Sequence, residues 1–126
     1  MVRREEKKYV KVTKPFEKAL AKMRAICLAL PDTKETPTWG EPHFRVGEKI
    51  FAGLGKEKAG LICLKLERDH ADSLVESGRF RRAPYVGHKS WVAIDAETVT
   101  DWAELRVLIH ESYRLIARQK KTSAGR

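Results

Sequence analysis

The stretch Trp39-Gly40-Glu41-Pro42-His43-Phe44-Arg45-Val46-Gly47-Glu48-Lys49-Ile50-Phe51-Ala52 decides the fold, together with His88-Lys89-Ser90-Trp91-Val92 further along the chain. Phe44 and Val46, then Ile50, Ala52 and Leu54, alternate around Gly47-Glu48, the period-two pattern of a hairpin closed by a tight turn. Leu61 to Leu66 continues the meander after a turn at Lys56 to Gly60. It places Ile62, Leu64 and Leu66 on one side and Cys63 and Lys65 on the other. Ser90 to Ile94 reads as a further strand. Phe80 to Val86, interrupted by Pro84, reads as an irregular edge strand or loop. A plain surface hairpin needs neither Trp-Gly-x-Pro at its entry nor Lys-x-Trp in a later strand, so function is sought in those residues.

Around these strands the apolar period changes to that of helices. Phe16, Ala19, Leu20, Met23, Ile26, Cys27 and Leu30 form the i, i+3, i+4 stripe of an amphipathic helix, stopped at Pro31-Asp32. Pro37 and Pro42 make the next dozen residues a loop feeding the strands. Ala71, Leu74 and Val75 give a short helix over Arg68 to Glu76, with Gly78 as its C-cap. Asp101-Trp102-Ala103-Glu104 opens the last helix with a capping-box pattern. Trp102, Leu105, Leu108, Ile109, Ser112, Leu115 and Ile116 form its inner face, and the helix is expected to run to about Lys120. Helix, three strands, helix, one or two strands, helix is the order of a two-layer α+β domain, with one antiparallel sheet covered by helices on one face.

At 126 residues the chain is expected to form a single domain, over 13–120, able to bury a core without disulfides or metal. Residues 1–12 and 121–126 are expected to be mobile basic tails. No stretch approaches the roughly 20 apolar residues that cross a bilayer, and the N-terminus is charged, so a cytoplasmic protein that does not engage membranes is expected. Cys27 and Cys63 fall at apolar positions without CxxC spacing and read as buried free thiols.

The net charge of +9 is unevenly placed. Residues 1–24 hold nine Lys/Arg against three Glu, and residues 114–126 hold five Lys/Arg and no acid. The middle carries a net −2, so most of the basicity lies near the chain ends. One internal cluster stands out: Arg79, Arg81, Arg82 and Lys89, with no acidic residue from Ser77 through Ile94.

Other chemistries find little footing. His43, His70, His88 and His110 lack the spacing of metal sites, and neither metal nor cofactor is expected. No GxSxG occurs, and Ser90 beside Trp91 reads as a strand residue. Glu67, Asp69, Asp72 and Glu76 read as a solvated helix face, and Gly53-Leu54-Gly55 does not open a helix as a dinucleotide fingerprint would. No catalytic residue is assigned. Trp39, His43, Lys89 and Trp91 remain. Two tryptophans plugging the sheet ends are the structural explanation. An aromatic ring beside Arg79, Arg81, Arg82, His88 and Lys89, able to stack on a base or other planar ligand and meet phosphates, is the functional one.

Leu28-x-Leu30-Pro31, Trp39-Gly-x-Pro42-x-Phe44-x-Val46-x-x-Lys49-x-Phe51-Ala52, Lys89-x-Trp91-Val92 and Ser112-Tyr113 together resemble the MmcQ/YjbR family of small bacterial proteins, over roughly residues 18–118. The resemblance implies an α-β-β-β-α-β-β-α domain similar in outline to secretion-chaperone-like folds, likened to a double-wing DNA-binding motif. Members are commonly labelled DNA-binding, and the resemblance implies no catalytic residues. The basic N-terminal extension and the Arg79-to-Arg82 cluster depart from the family pattern.

The leading expectation is therefore a non-enzymatic DNA-binding module. Arg79, Arg81, Arg82 and Lys89 would contact phosphates and the 43-to-55 hairpin would act as a wing. One alternative is a small-ligand-binding domain or an enzyme at the Trp39, His43, Lys89 and Trp91 end of the sheet. The other is a protein-interaction domain presenting the uncovered sheet face.

Overall fold

The computed structural model describes residues 13–84 and 90–124, with side chains of the last helix described to Arg118. In chain order the elements are α1 (Lys14–Cys27), β1 (Thr33–Thr38), β2 (Glu41–Val46), β3 (Lys49–Gly55), β4 (Leu61–Lys65), α2 (Arg68–Glu76), β5 (Arg81–Arg82), β6 (Trp91–Asp95), a 3-10 turn (Ala96–Thr98) and α3 (Trp102–Ala124). The strands form one antiparallel sheet in the order β1-β2-β3-β4-β6-β5. The α+β class, the single sheet and the helical layer agree with the expectation. The element order has one more strand than expected.

That strand is β1, read from sequence as a loop because of its proline. Pro37 sits on an edge strand directly opposite Pro42. Neither has an N–H to exchange, so the pair occupies a position where the ladder needs no bond between them. Two prolines that argue against a strand singly are thus accommodated by facing each other.

The β2–β3 hairpin turns at Gly47-Glu48, with Val46 opposite Lys49 and Gly47 at φ +62°, the Gly-x pattern of a two-residue turn. Its register then departs from simple alternation. Phe44 faces Ala52 and Arg45 faces Ile50, so Phe51 is a bulge residue. The bulge carries Phe51 into the core beside Ala52 and Leu54 and leaves Ile50 half-buried, reversing the role that alternation assigns to Ile50.

Each helix begins or ends on an identifiable signal. Thr13 Oγ1 accepts from Phe16 N at 3.1 Å, with Pro15 in the first turn of α1. Asp101 Oδ1 accepts from Ala103 N at 3.0 Å and Glu104 N at 3.3 Å to start α3, while the Glu104 side chain pairs with Arg79 rather than completing a capping box. Gly78 follows α2 at φ +85°. The last helix passes the expected end near Lys120 and reaches Ala124, because no Gly or Pro interrupts it before Gly125. Residues 1–12, expected as a mobile tail, lie outside the described residues, as do 125–126.

Phe16, Met23 and Cys27 of α1, Ala71 of α2, and Leu105, Leu108, Ile109 and Ile116 of α3 meet Phe44, Phe51, Leu54, Ile62, Leu64 and Val92 in one core. Each such large side chain stabilises by about 1.5–3 kcal/mol on burial. Leu61, Ala83 and Ala93 form a separate small cluster. Strand alternation places it on the opposite sheet face, with His43, Gly53 and Cys63 in one cross-strand row.

Candidate functional site

Arg79, Arg81 and Arg82 are neighbours along the chain, but each is turned to a different carboxylate. Arg79 makes a fork to Glu104 at 3.0 and 2.7 Å. Arg81 meets Asp95 at 3.4 Å and Glu57 at 3.6 Å, and Arg82 meets Asp72 at 2.6 Å. Successive residues of β5 point to opposite faces, which sends Arg82 toward α2 and Arg81 across the open face. The hydrogen bond from Arg79 holds the Glu104 carboxyl below its ordinary range, and Glu104 in turn raises the Arg79 guanidinium. These pairs are exposed and worth only about 0–1 kcal/mol each, but they neutralise the local charge. Lys89 and His88 lie outside the described residues.

Trp39, His43 and Trp91 do not converge. Trp39 stands at the tip of the β1–β2 hairpin, 93% exposed, between Thr38 and its partner Glu41. Trp39 and Gly40 have φ of +57° and +77°, the two-residue turn with left-handed backbone at both positions. Glycine or asparagine meets that geometry easily, whereas a bulky side chain there stores on the order of 1–3 kcal/mol of strain. His43 lies on the open face against Gly53, where an added Cβ would stand 2.9 Å from its ring. Its Nδ1 is 2.9 Å from Glu41 O, and since a carbonyl only accepts, Nδ1 carries the proton. Trp91 shares that face opposite Lys65 on β6, three strand spacings or roughly 14 Å from β2.

Nucleophiles are subdued. Burial, with a smaller contribution from Glu35, pushes the Cys27 thiol up to about 12. Burial, followed by Glu41 and Glu57 and partly offset by Arg81, pushes Cys63 up to about 11. Both cysteines are free, and neither is a thiolate at neutral pH. No group of three or more metal-ligating side chains occurs among the described residues. One His–carboxylate pair was not legible in the sequence: His70 Nδ1 lies 2.8 Å from Glu111 Oε1, while Glu111 Oε2 accepts from Glu67 N at 2.8 Å. The pair lines a cleft of about 320 Å³ with Arg114 and Arg118, and no Ser, Thr or Cys lines it. Its members are 41 residues apart, and neither sits in a motif.

Some of the cations without a carboxylate partner form rows along helices. Lys14, Lys18 and Lys22 recur every four residues along α1, and Arg106, His110 and Arg114 do so along α3. Among the described residues none of these lysines and arginines belongs to a salt bridge, and Lys22 Nζ sits 5.7 Å from the Trp102 ring centroid. Burial and then the positive charge of Arg106 and Arg114 hold His110 below its ordinary value.

Ser112 and Tyr113 prove to be structural. Ser112 Oγ donates to Phe51 O at 2.6 Å and accepts from Lys65 N at 2.9 Å, satisfying backbone groups at the bulge and at the end of β4. Tyr113 Oη donates to Pro31 O at 2.8 Å and its ring meets Phe51 edge-on at 5.4 Å. The motif pieces around Pro31, Phe51 and Ser112-Tyr113 therefore tie α3 to the sheet and to the end of α1.

No curated protein matches the sequence. The fold is similar to the crystal structure of Deinococcus radiodurans protein DR2400, which carries a DUF419 domain, with a TM-score of 0.73, 19% identity and 80% of each chain covered. The YjbR family model matches residues 28–115, more than half of the chain, spanning the hairpin, the bulge and the Ser112-Tyr113 staple. The chain belongs to the YjbR family.

Proposed function

We propose that the chain is a non-enzymatic DNA-binding module whose phosphate contacts come from the outer face of the helical layer. The observation that carries this reading is the partition of charge among the described residues. Arg24, Lys34, Arg79, Arg81, Arg82 and Arg118 are paired with carboxylates; of the cations that are not, Arg45, Lys49, Lys56, Lys58, Lys65 and Arg68 are spread over strands, turns and the start of α2, whereas Lys14, Lys18 and Lys22 and Arg106 and Arg114 form rows along α1 and α3. Cations already neutralised by the fold add little long-range attraction for a polyanion, while unpaired ones release counterions when they meet phosphate. Arg79, Arg81, Arg82 and Lys89 thus become secondary phosphate candidates, the first three needing their carboxylates to let go.

The small-ligand alternative has weaker support, because Trp39, His43 and Trp91 occupy separate parts of the sheet. So does the protein-interaction alternative: the exposed large apolar residues are Leu28, Trp39 and Val107 among those described, on three different elements or turns.

The test is fluorescence anisotropy with a labelled duplex across a salt series. The Lys18→Glu/Lys22→Glu/Arg106→Glu variant is expected to weaken binding at least tenfold and to reduce the salt slope by about 0.9 for each phosphate that is no longer neutralised. Equal affinity and slope in variant and parent would remove this assignment, and a larger effect from Arg81→Ala/Arg82→Ala would return the site to β5.

A further inference from the structure

Trp39 is the feature that a phosphate-binding helical face leaves unexplained. Its indole is more exposed than any other large apolar side chain among the described residues, at 93% against 61% for Val107 and 44% for Leu28. It also occupies a left-handed backbone position in a turn that asparagine or glycine would fill without strain. The fold therefore gains neither burial nor backbone ease from a tryptophan here, and what it does present is an aromatic ring largely open to solvent.

Two lysines stand in the neighbouring turn. The β3–β4 turn lies at the same end of the sheet, and the Lys56 ammonium is 3.7 Å from where a Cβ on Gly40 would stand. Neither Lys56 nor Lys58 belongs to a salt bridge among the described residues. A cleft of about 430 Å³ separates the tip from α1 and is lined by Phe16, Leu20, Pro42, Lys56, Arg24 and the acidic Glu17. Arg24 is committed to Glu35, so the cations of this end of the sheet that have no carboxylate partner among the described residues are Lys56 and Lys58, with the carboxylates of Glu17 and of Glu41, which accepts from Lys56 N at 3.1 Å, standing nearby. Phe16, Glu17, Leu20 and Arg24 form the α1 wall of this cleft, and the Lys14, Lys18 and Lys22 stripe runs along the other side of the helix.

We propose that the Trp39 tip is a base-stacking site that makes the chain prefer single-stranded over duplex DNA, an unpaired base lying on the indole and its neighbouring phosphates meeting Lys56 and Lys58. The proposal rests on the DNA-binding reading above and deepens it. Bases in a duplex are already stacked on both faces, so a ring on a projecting hairpin adds affinity only for a base that is free. A projecting tip also cannot enclose a free nucleotide as a small-molecule pocket does. A strand whose other phosphates are held elsewhere on the chain reaches the ring at high local concentration, whereas a mononucleotide does not.

The experiment uses the full chain at physiological salt, with a labelled oligothymidylate of about 12 nucleotides, its duplex with oligoadenylate, and thymidine monophosphate as a third probe. Trp39→Asn keeps a residue that tolerates the left-handed turn, and its circular dichroism and melting temperature are compared with the parent to show that the hairpin is retained. The single strand is expected to bind the parent more tightly than the duplex. Trp39→Asn is expected to lose about tenfold in single-strand affinity while duplex affinity stays within about twofold. Equal loss for both forms, no loss for either, or tighter binding of the duplex by the parent would overturn the stacking role. Thymidine monophosphate binding as tightly as the oligomer would overturn it in favour of a nucleotide pocket. The charge-reversal variant on α1 and α3 separates the two readings. If it keeps duplex binding while Trp39→Asn still erases the single-strand preference, the helical-face assignment falls and the stacking site stands. If the parent binds no probe, both fall.

Discussion

A single hydroxyl, that of Ser112, serves two strands that have nowhere else to turn. The bulge at Phe51 and the end of β4 leave a carbonyl and an N–H facing the core, and Ser112 Oγ bonds both. Ser112→Ala is expected to cost about 2–4 kcal/mol, since each buried backbone group left unsatisfied costs about 1–3 kcal/mol. Urea unfolding measures it, and a loss below about 0.5 kcal/mol would show that water takes the serine's place. Gly53 is the second position of this kind. A methyl there would stand 2.9 Å from the His43 ring, so Gly53→Ala is expected to destabilise by about 1–3 kcal/mol. His43→Ala in the same chain should recover most of that loss, and a double-mutant cycle with zero coupling would exclude the contact as its cause. Neither role is visible in a one-dimensional pattern: Ser112 sits at an inward helical position that any small residue fills, and Gly53 sits in a strand without a turn signal.

At the scale of elements, local signals and tertiary demands divide the outcome. Gly78 and Asp101 mark helix boundaries through their own backbone or side-chain chemistry, and the apolar stripe from Phe16 marks α1, so α1, α2 and the start of α3 were legible, while the Thr13 cap of α1 emerged only in the structure. Asp101→Ala is expected to cost about 1 kcal/mol by removing the acceptor for two orphan N–H groups, with Asp101→Ser largely restoring it in thermal unfolding. The β2–β3 hairpin was legible too, because its alternation and its Gly-x turn are contiguous. Strand β1 was not. Thr33 to Thr38 is polar and carries a proline, and it becomes a strand only because β2 offers an edge with Pro42 opposite Pro37. The bulge was equally hidden, since its position follows from how Phe51 packs against Tyr113 on a distant helix.

For the whole molecule, charge and protonation follow the tertiary arrangement. Burial raises both thiols, so the folded chain retains protons that the unfolded chain releases above about pH 9. Stability from this source is complete below pH 9 and is lost as pH rises toward 11 and 12, where the folded thiols titrate. Cys27→Ala/Cys63→Ala should therefore show a flatter fall in melting temperature between pH 9 and 11 than the parent, and identical slopes would contradict the burial account. The sequence by itself determined the helices, the central hairpin, the α+β class and the total charge, because periodicity, capping and composition are local or additive properties. Only the tertiary structure decided which charges are free. Arg79, Arg81 and Arg82 look like an open basic cluster along the chain, but Glu104, Asp95 and Asp72 reach them from 25, 14 and 10 residues away. The tertiary structure likewise placed Trp39 alone at a hairpin tip and His43 against Gly53. Proximity between distant residues depends on how layers pack, and no local pattern carries that information.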